Sequence, residues 1–105
     1  MGPGLLESIY ELCLVKELEL RNIAVKRQIG LPLIYKGTEL SKEFVIDILV
    51  EEEIILEIKS SEQHHPIFEA QLISYLKLAK KKLGFLINFN VPLIKSGIKR
   101  FVNSY

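Results

Sequence analysis

Asp47, Glu57 and Lys59 are polar interruptions in two runs that otherwise read as buried strands, FVIDILV from Phe44 to Val50 and IILEIKS from Ile54 to Ser60. Glu7 interrupts an apolar helix-like segment in the same way. Side chains alternate faces along a strand, so Glu57 and Lys59 share one face while Ile54, Leu56 and Ile58 take the other. Only Glu51-Glu52-Glu53 separates the runs, which is short enough for a hairpin loop. With Val50 opposite Ile54, Asp47 falls opposite Glu57 on one face, and Val45 falls opposite Lys59. Like charges placed so destabilise a sheet. At 4 Å the repulsion is roughly 1 kcal/mol in water and about 4 kcal/mol at an effective dielectric near 20. Two offsets are open. A divalent cation is one, since Mg²⁺ takes one or two carboxylates together with waters and substrate phosphates. Lys59 is the other, which would leave a neutralised acid pair at a sheet edge and no chemistry.

The elements that must carry these residues follow from periodicity and punctuation. Gly2-Pro3-Gly4 precedes a helix over about Leu5 to Leu20, with Leu5, Ile9, Leu12, Cys13 and Leu20 as its apolar stripe and Glu7 in its first turn. Ala24 to Tyr35 is a strand made irregular by Gly30 and Pro32, ending at the turn signal Lys36-Gly37. The Phe44–Ser60 hairpin follows, then a loop from Ser61 to His65. Pro66 suits the first position of a helix reaching about Lys82, whose buried face is Leu72, Ile73, Leu76 and Ala79. LGFLINF, Leu83 to Phe89, is nearly all apolar, as a strand covered on both faces would be. A right-handed crossover would place it parallel to the hairpin. After Pro92 two patterns compete: Ile94, Gly97, Ile98 and Phe101 fit a helix, whereas Ile98, Arg100 and Val102 alternate as a short last strand, which is the favoured reading. The order is helix, three strands, helix, then one or two strands: an α/β fold with a central mixed sheet flanked by helices.

Composition narrows the class. A chain of 105 residues with 49 % apolar and 26 % charged residues suits one globular domain spanning 1–105. No apolar run approaches a membrane span, and no signal-peptide pattern is present, so the expected location is cytoplasmic with no membrane partner. Net charge is +1, so the broad basic footprint of many nucleic-acid binders is missing and any such contact must be local. Lys77, Lys80, Lys81 and Lys82 are one local source, though a lysine run closing a helix also complements its dipole. Cys13 has no second cysteine to pair with and reads as a small core residue. His64 and His65, adjacent in a loop, lack the spacing of a zinc site. Asn88 suits a cap on the turn after its strand.

Asp47 followed ten residues on by Glu57-Ile58-Lys59 resembles the PD-(D/E)XK nuclease superfamily, whose restriction-endonuclease-like core has the element order just read. Ile46 stands where proline is often found. Within that superfamily the chain is similar to the GxxExxY proteins. Gly4-Leu5-Leu6-Glu7-Ser8-Ile9-Tyr10 is their signature, and LPLIYKG, DILV, EIK, EAQLISYL and GFLINFNVPLIKSGIKR follow in order, from about Gly2 to Asn103. Phe68 replaces a histidine expected in many relatives, and the helix before Gly-Pro-Gly is absent.

The resemblance implies Mg²⁺- or Mn²⁺-dependent hydrolysis of phosphodiester bonds, with DNA favoured as substrate and nucleic acid as partner. It assigns the metal to Asp47, Glu57 and Glu7, with the Ile58 carbonyl as a further ligand. Lys59 would orient or help deprotonate the attacking water, a task suited to an ammonium whose pKa falls when crowded. Gln71 and Tyr75, four apart and on one helical face, match a Gln-x-x-x-Tyr element of RecB-like nucleases and would contact substrate. Other readings stay open. Glu7 could serve only the helix dipole, Gln71 and Tyr75 could be an ordinary amphipathic boundary, and Tyr10 could be core with its hydroxyl at the rim. The fold could also carry a catalytically silent module that binds nucleic acid or protein, or a subunit whose substrate surface is completed in a homodimer.

Overall fold

A computed structural model describes residues 3–60, 66–90 and 97–103, with side chains described from Leu6 onward except at 40–43. Helix α1 (Pro3–Leu20) is followed by strands β1 (Val25–Tyr35), β2 (Thr38–Val50) and β3 (Ile54–Lys59), helix α2 (Pro66–Ala79), and strands β4 (Leu83–Asn88) and β5 (Ile98–Val102). Among the described residues the strands form one five-stranded sheet in the order β1-β2-β3-β4-β5. All neighbours are antiparallel except β3 and β4, which α2 joins in parallel. This is the mixed α/β architecture expected from the sequence. His64 and His65 lie outside the described residues.

The element ends have local causes. Asn22, at φ 59, closes α1, and the Ile23 N–H returns to the Leu18 carbonyl at 3.0 Å. That is the left-handed cap asparagine tolerates. Lys80, at φ 57, ends α2 in the same way, with Lys81 N–H on the Leu76 carbonyl at 2.9 Å. The helix therefore stops at Ala79, short of the expected Lys82. Lys36 and Gly37, at φ 49 and 78, make the β1–β2 turn. The β2 strand begins at Thr38, six residues before the expected Phe44, because the polar stretch TELSKE hid its first half. Pro32, which has no N–H to give, sits inside the register shift between Leu31 and Leu33. Gly30 pairs regularly with Val45.

Two buried clusters cover the two faces of the sheet. On one, Ile46, Leu49, Ile55 and Leu86 pack under Leu72, Tyr75 and Leu76 of α2. On the other, Ile48, Val50, Leu56, Ile58 and Ile87 pack under Tyr10, Leu14, Val15 and Leu18 of α1. Tyr10 stacks on Phe89 with ring centroids 4.2 Å apart, so it is a packing residue. The α1 stripe expected from the sequence is the wrong one: Ile9, Leu12 and Leu20 are exposed, as is Cys13. The helix is apolar nearly all round, so periodicity could not choose its inner face, and two acids, Glu7 and Glu11, occupy that face. Ile73 of α2 is likewise more exposed than expected, and Tyr75 takes its place in the core.

Candidate active site

The two acids singled out in the sequence meet where β2 and β3 part. Their ladder has three rungs, Val50–Ile54, Leu49–Ile55 and Ile48–Leu56, in the expected register. Among the described residues the pairing goes no further, so neither the anticipated rung between Asp47 and Glu57 nor that between Val45 and Lys59 is made. Side chains replace them. Asp47 Oδ2 accepts the Ile58 N–H at 2.8 Å, and Glu57 Oε1 accepts the Asp47 N–H at 3.3 Å. Each carboxylate thus takes a backbone donor of the opposite strand, which holds the strands apart at a fixed spacing.

Glu57 is only 2 % exposed. Burial first, and the neighbouring Asp47 carboxylate second, push its carboxyl up to about 9. Lys59 acts the other way and is the smallest influence. The lysine-neutralised pair is therefore not what the fold builds: the Lys59 ammonium lies over the Phe68 ring, 4.9 Å from its centroid. Phe68 is the residue at which the resemblance to the GxxExxY proteins leads one to expect histidine.

Two depressions flank the acid pair. One, of about 220 Å³ under α1, is lined by Glu7, Ser8, Glu11, Gln28, Asp47 and Ile58. The other, of about 490 Å³ beside α2, is an open groove lined by Lys59, Phe44, Ile67, Phe68, Gln71 and Tyr75, among others. Gln71 Nε2 donates to Tyr75 Oη at 3.0 Å, so the two residues four apart on the helix do act on one face. Burial, then the Glu57 charge, raises the Tyr75 phenol above its ordinary range.

Glu7 belongs to the first depression. Its Oε1 accepts the Ser60 N–H at 3.2 Å, tying α1 to the chain just beyond Lys59. Because α1 starts at Pro3, its first turn holds no acid and the helix-dipole account of Glu7 does not apply. Among the described residues no three His, Cys, Asp or Glu side chains converge as a metal-binding group. Glu7, Asp47 and Glu57 consequently do not form the three-acid shell that the sequence suggested.

Sequence reasoning missed a second acid. Glu11 is 3 % exposed and accepts Gln28 Nε2 at 2.7 Å and Arg27 Nη2 at 3.0 Å. One signal was available: Glu11 is four residues from Glu7 and so on its face of the helix. Nothing marked Gln28, which stands at φ 52 inside a strand.

A mixed sheet with this element order and an acid pair at the β2–β3 divergence defines a restriction-endonuclease-like core. A profile of the PD-(D/E)XK nuclease superfamily matches residues 1–101, and the chain belongs to that superfamily. Its nucleases generally use divalent metal ions and act on nucleic acid. The crystal structure of SSO0001 superimposes with a TM-score of 0.74 at 18 % identity, over 100 % of this chain and 54 % of that one. The likeness is one of fold, and this chain spans about half the length of that protein. No match was found among curated proteins. No helix among the described residues is long and apolar enough to cross a membrane.

Proposed function

We propose that this chain is a metal-dependent nuclease of the GxxExxY group, hydrolysing phosphodiester bonds with DNA favoured over RNA. The observation that carries the proposal is the Asp47–Glu57 pair. A carboxyl pushed up first by burial and then by a second carboxylate beside it is a site short of one cation. Hard oxygen donors suit Mg²⁺ or Mn²⁺. Asp47 and Glu57 would hold the ion together with the Ile58 carbonyl, and Glu7 would add its charge from the α1 side. When bound, such an ion lowers the pKa of a water and stabilises charge developing on phosphorus.

The chain's own residues do the rest. Lys59 leaves the Phe68 ring to orient the attacking water and meet the phosphate. Gln71 and Tyr75, already bonded to each other, hold substrate along the groove that Lys59 shares. The bond between Glu7 and the Ser60 N–H keeps the Lys59 segment next to the acids.

A cleavage panel of single-stranded, duplex and branched DNA and RNA with Mg²⁺ or Mn²⁺ tests the proposal. Lys59→Ala and Asp47→Asn abolish cutting; variants that cut as well as the parent refute it. Two observations favour a second reading, a silent module that binds nucleic acid or protein: Lys59 rests on an aromatic ring, and among the described residues no three acids converge as a metal-binding group. Calorimetry separates the two, since the module takes up no divalent ion. Sedimentation tests whether a homodimer completes the substrate surface.

A further inference from the structure

Strict alternation along β2 would send Asp47 to the α2 side of the sheet with Leu49. The two strands β1 and β2 instead exchange faces at one rung. Ile48 packs in the α1-side cluster, whereas Ile46, two residues away, packs in the α2-side cluster. On β1, Arg27 reaches Glu11 of α1 while Ile29 packs on the α2 side. The paired rungs Arg27–Ile48 and Ile29–Ile46 bracket the exchange, and the residues between them are Gln28 and Asp47. At the exchange Gln28 takes a left-handed backbone, φ 52, which is uncommon for a non-glycine residue and, inside a strand, asks for a local cause.

What holds it is Glu11. The buried Glu11 carboxylate grips the Gln28 amide at 2.7 Å and the Arg27 guanidinium at 3.0 Å, so both residues that precede the exchange are fixed to α1. Arg27 forms an ion pair with Glu11, and Glu11 and Asp47 line the same cavity. We infer that Glu11 is a positioning residue of the acid site: through Gln28 it turns the β1–β2 rung so that Asp47 opens into the cavity it shares with Glu7. The inference rests on the proposed metal role of Asp47 and Glu57, and it makes the first helix a part of the site through two acids with different duties.

The experiment uses the full chain and Mn²⁺ as probe, with calorimetry for affinity and amide hydrogen exchange at Ile58, whose N–H is held by Asp47. Losing a residue that orients a ligand weakens metal binding by roughly 10- to 100-fold, and Glu11→Ala should do so while exposing the Ile58 amide to exchange. Gln28→Val, whose branched Cβ opposes a positive φ, has the same two effects and carries the test should Glu11→Ala fail to fold. Adding Gln28→Gly to Glu11→Ala restores Mn²⁺ affinity at least in part, because glycine enters the left-handed region unaided. A residue that merely anchors the helix would not be rescued by removing its partner's side chain. Unchanged Ile58 exchange and Mn²⁺ affinity within twofold in Glu11→Ala overturn the inference, as does a double variant no better than the single one. If the parent chain takes up no Mn²⁺, the metal reading fails, and the Ile58 amide, which needs no ion, decides the positioning role by itself.

Discussion

Replacing Glu57 by glutamine stabilises the metal-free protein at neutral pH. Glutamine has the shape of the protonated acid: its carbonyl can keep the Asp47 N–H, and its amide can donate to the Asp47 carboxylate as the protonated acid would. In the parent, the folded chain holds that proton to about 9, whereas the free side chain releases it at 4.5. A raised carboxyl contributes stability that is fully present below the unfolded value and is lost as pH climbs toward the folded one. Each pH unit in that window is worth about 1.4 kcal/mol. Three units above the lower limit, near pH 7.5, the parent has therefore lost up to about 4 kcal/mol that the glutamine variant keeps. Urea denaturation in chelator at pH 4, 6 and 7.5 reads the difference directly. The two proteins match at pH 4 and diverge steadily above it. A parallel pair of stability curves, or a variant less stable than its parent at pH 7.5, refutes the assignment of a buried, protonated Glu57.

Other consequences are open to measurement. Mn²⁺ must displace the Glu57 proton, so its affinity rises about tenfold per pH unit between pH 6 and 8 in calorimetry, whereas a flat profile shows that Glu57 is not a ligand. Gly84→Ala puts a Cβ 3.0 Å from Leu72 Cδ1 and 3.3 Å from the Ile55 carbonyl oxygen, and overpacking of this kind lowers stability by about 1–3 kcal/mol in a denaturation series. Tyr75→Phe removes the acceptor of the Gln71 amide, and it weakens cleavage or oligonucleotide binding while leaving Mn²⁺ affinity intact.

The sequence made the frame legible because its signals were of the strong kind. Proline and glycine marked Pro66, Pro32 and Gly37, and the nearly all apolar LGFLINF read as an inner strand. The hairpin register followed from loop length for the three rungs next to the loop, whereas Asp47 and Glu57 meet beyond the ladder through side-chain bonds to the facing backbone. What failed did so for a shared reason: the rules of periodicity assume that every element obeys its own repeat. Helix α1 gives its inner face to Glu7 and Glu11, so an equally regular stripe through Ile9 and Leu12 looked as good. At Gln28 and Asp47 the alternation of faces itself breaks, and no residue type there announces it. Lys59 was placed on the correct face, yet its partner is an aromatic ring that only the docking of α2 supplies.

The bonds that assemble this site span very different lengths of chain. Asp47 and the Glu57 carboxylate are 10 residues apart, Glu11 and Gln28 are 17 apart, and Glu7 and Ser60 are 53 apart. Short loops close with the least loss of chain entropy, so the acid pair belongs to a hairpin that can form early, and the contribution of α1 arrives late. Partial unfolding runs in the opposite sense. A fluctuation that frees α1 uncouples Glu7 and Glu11 from the sheet while leaving the pairing of β2 to β1 and of β3 to β4 untouched, which makes the seating of α1 a natural control point for the whole site.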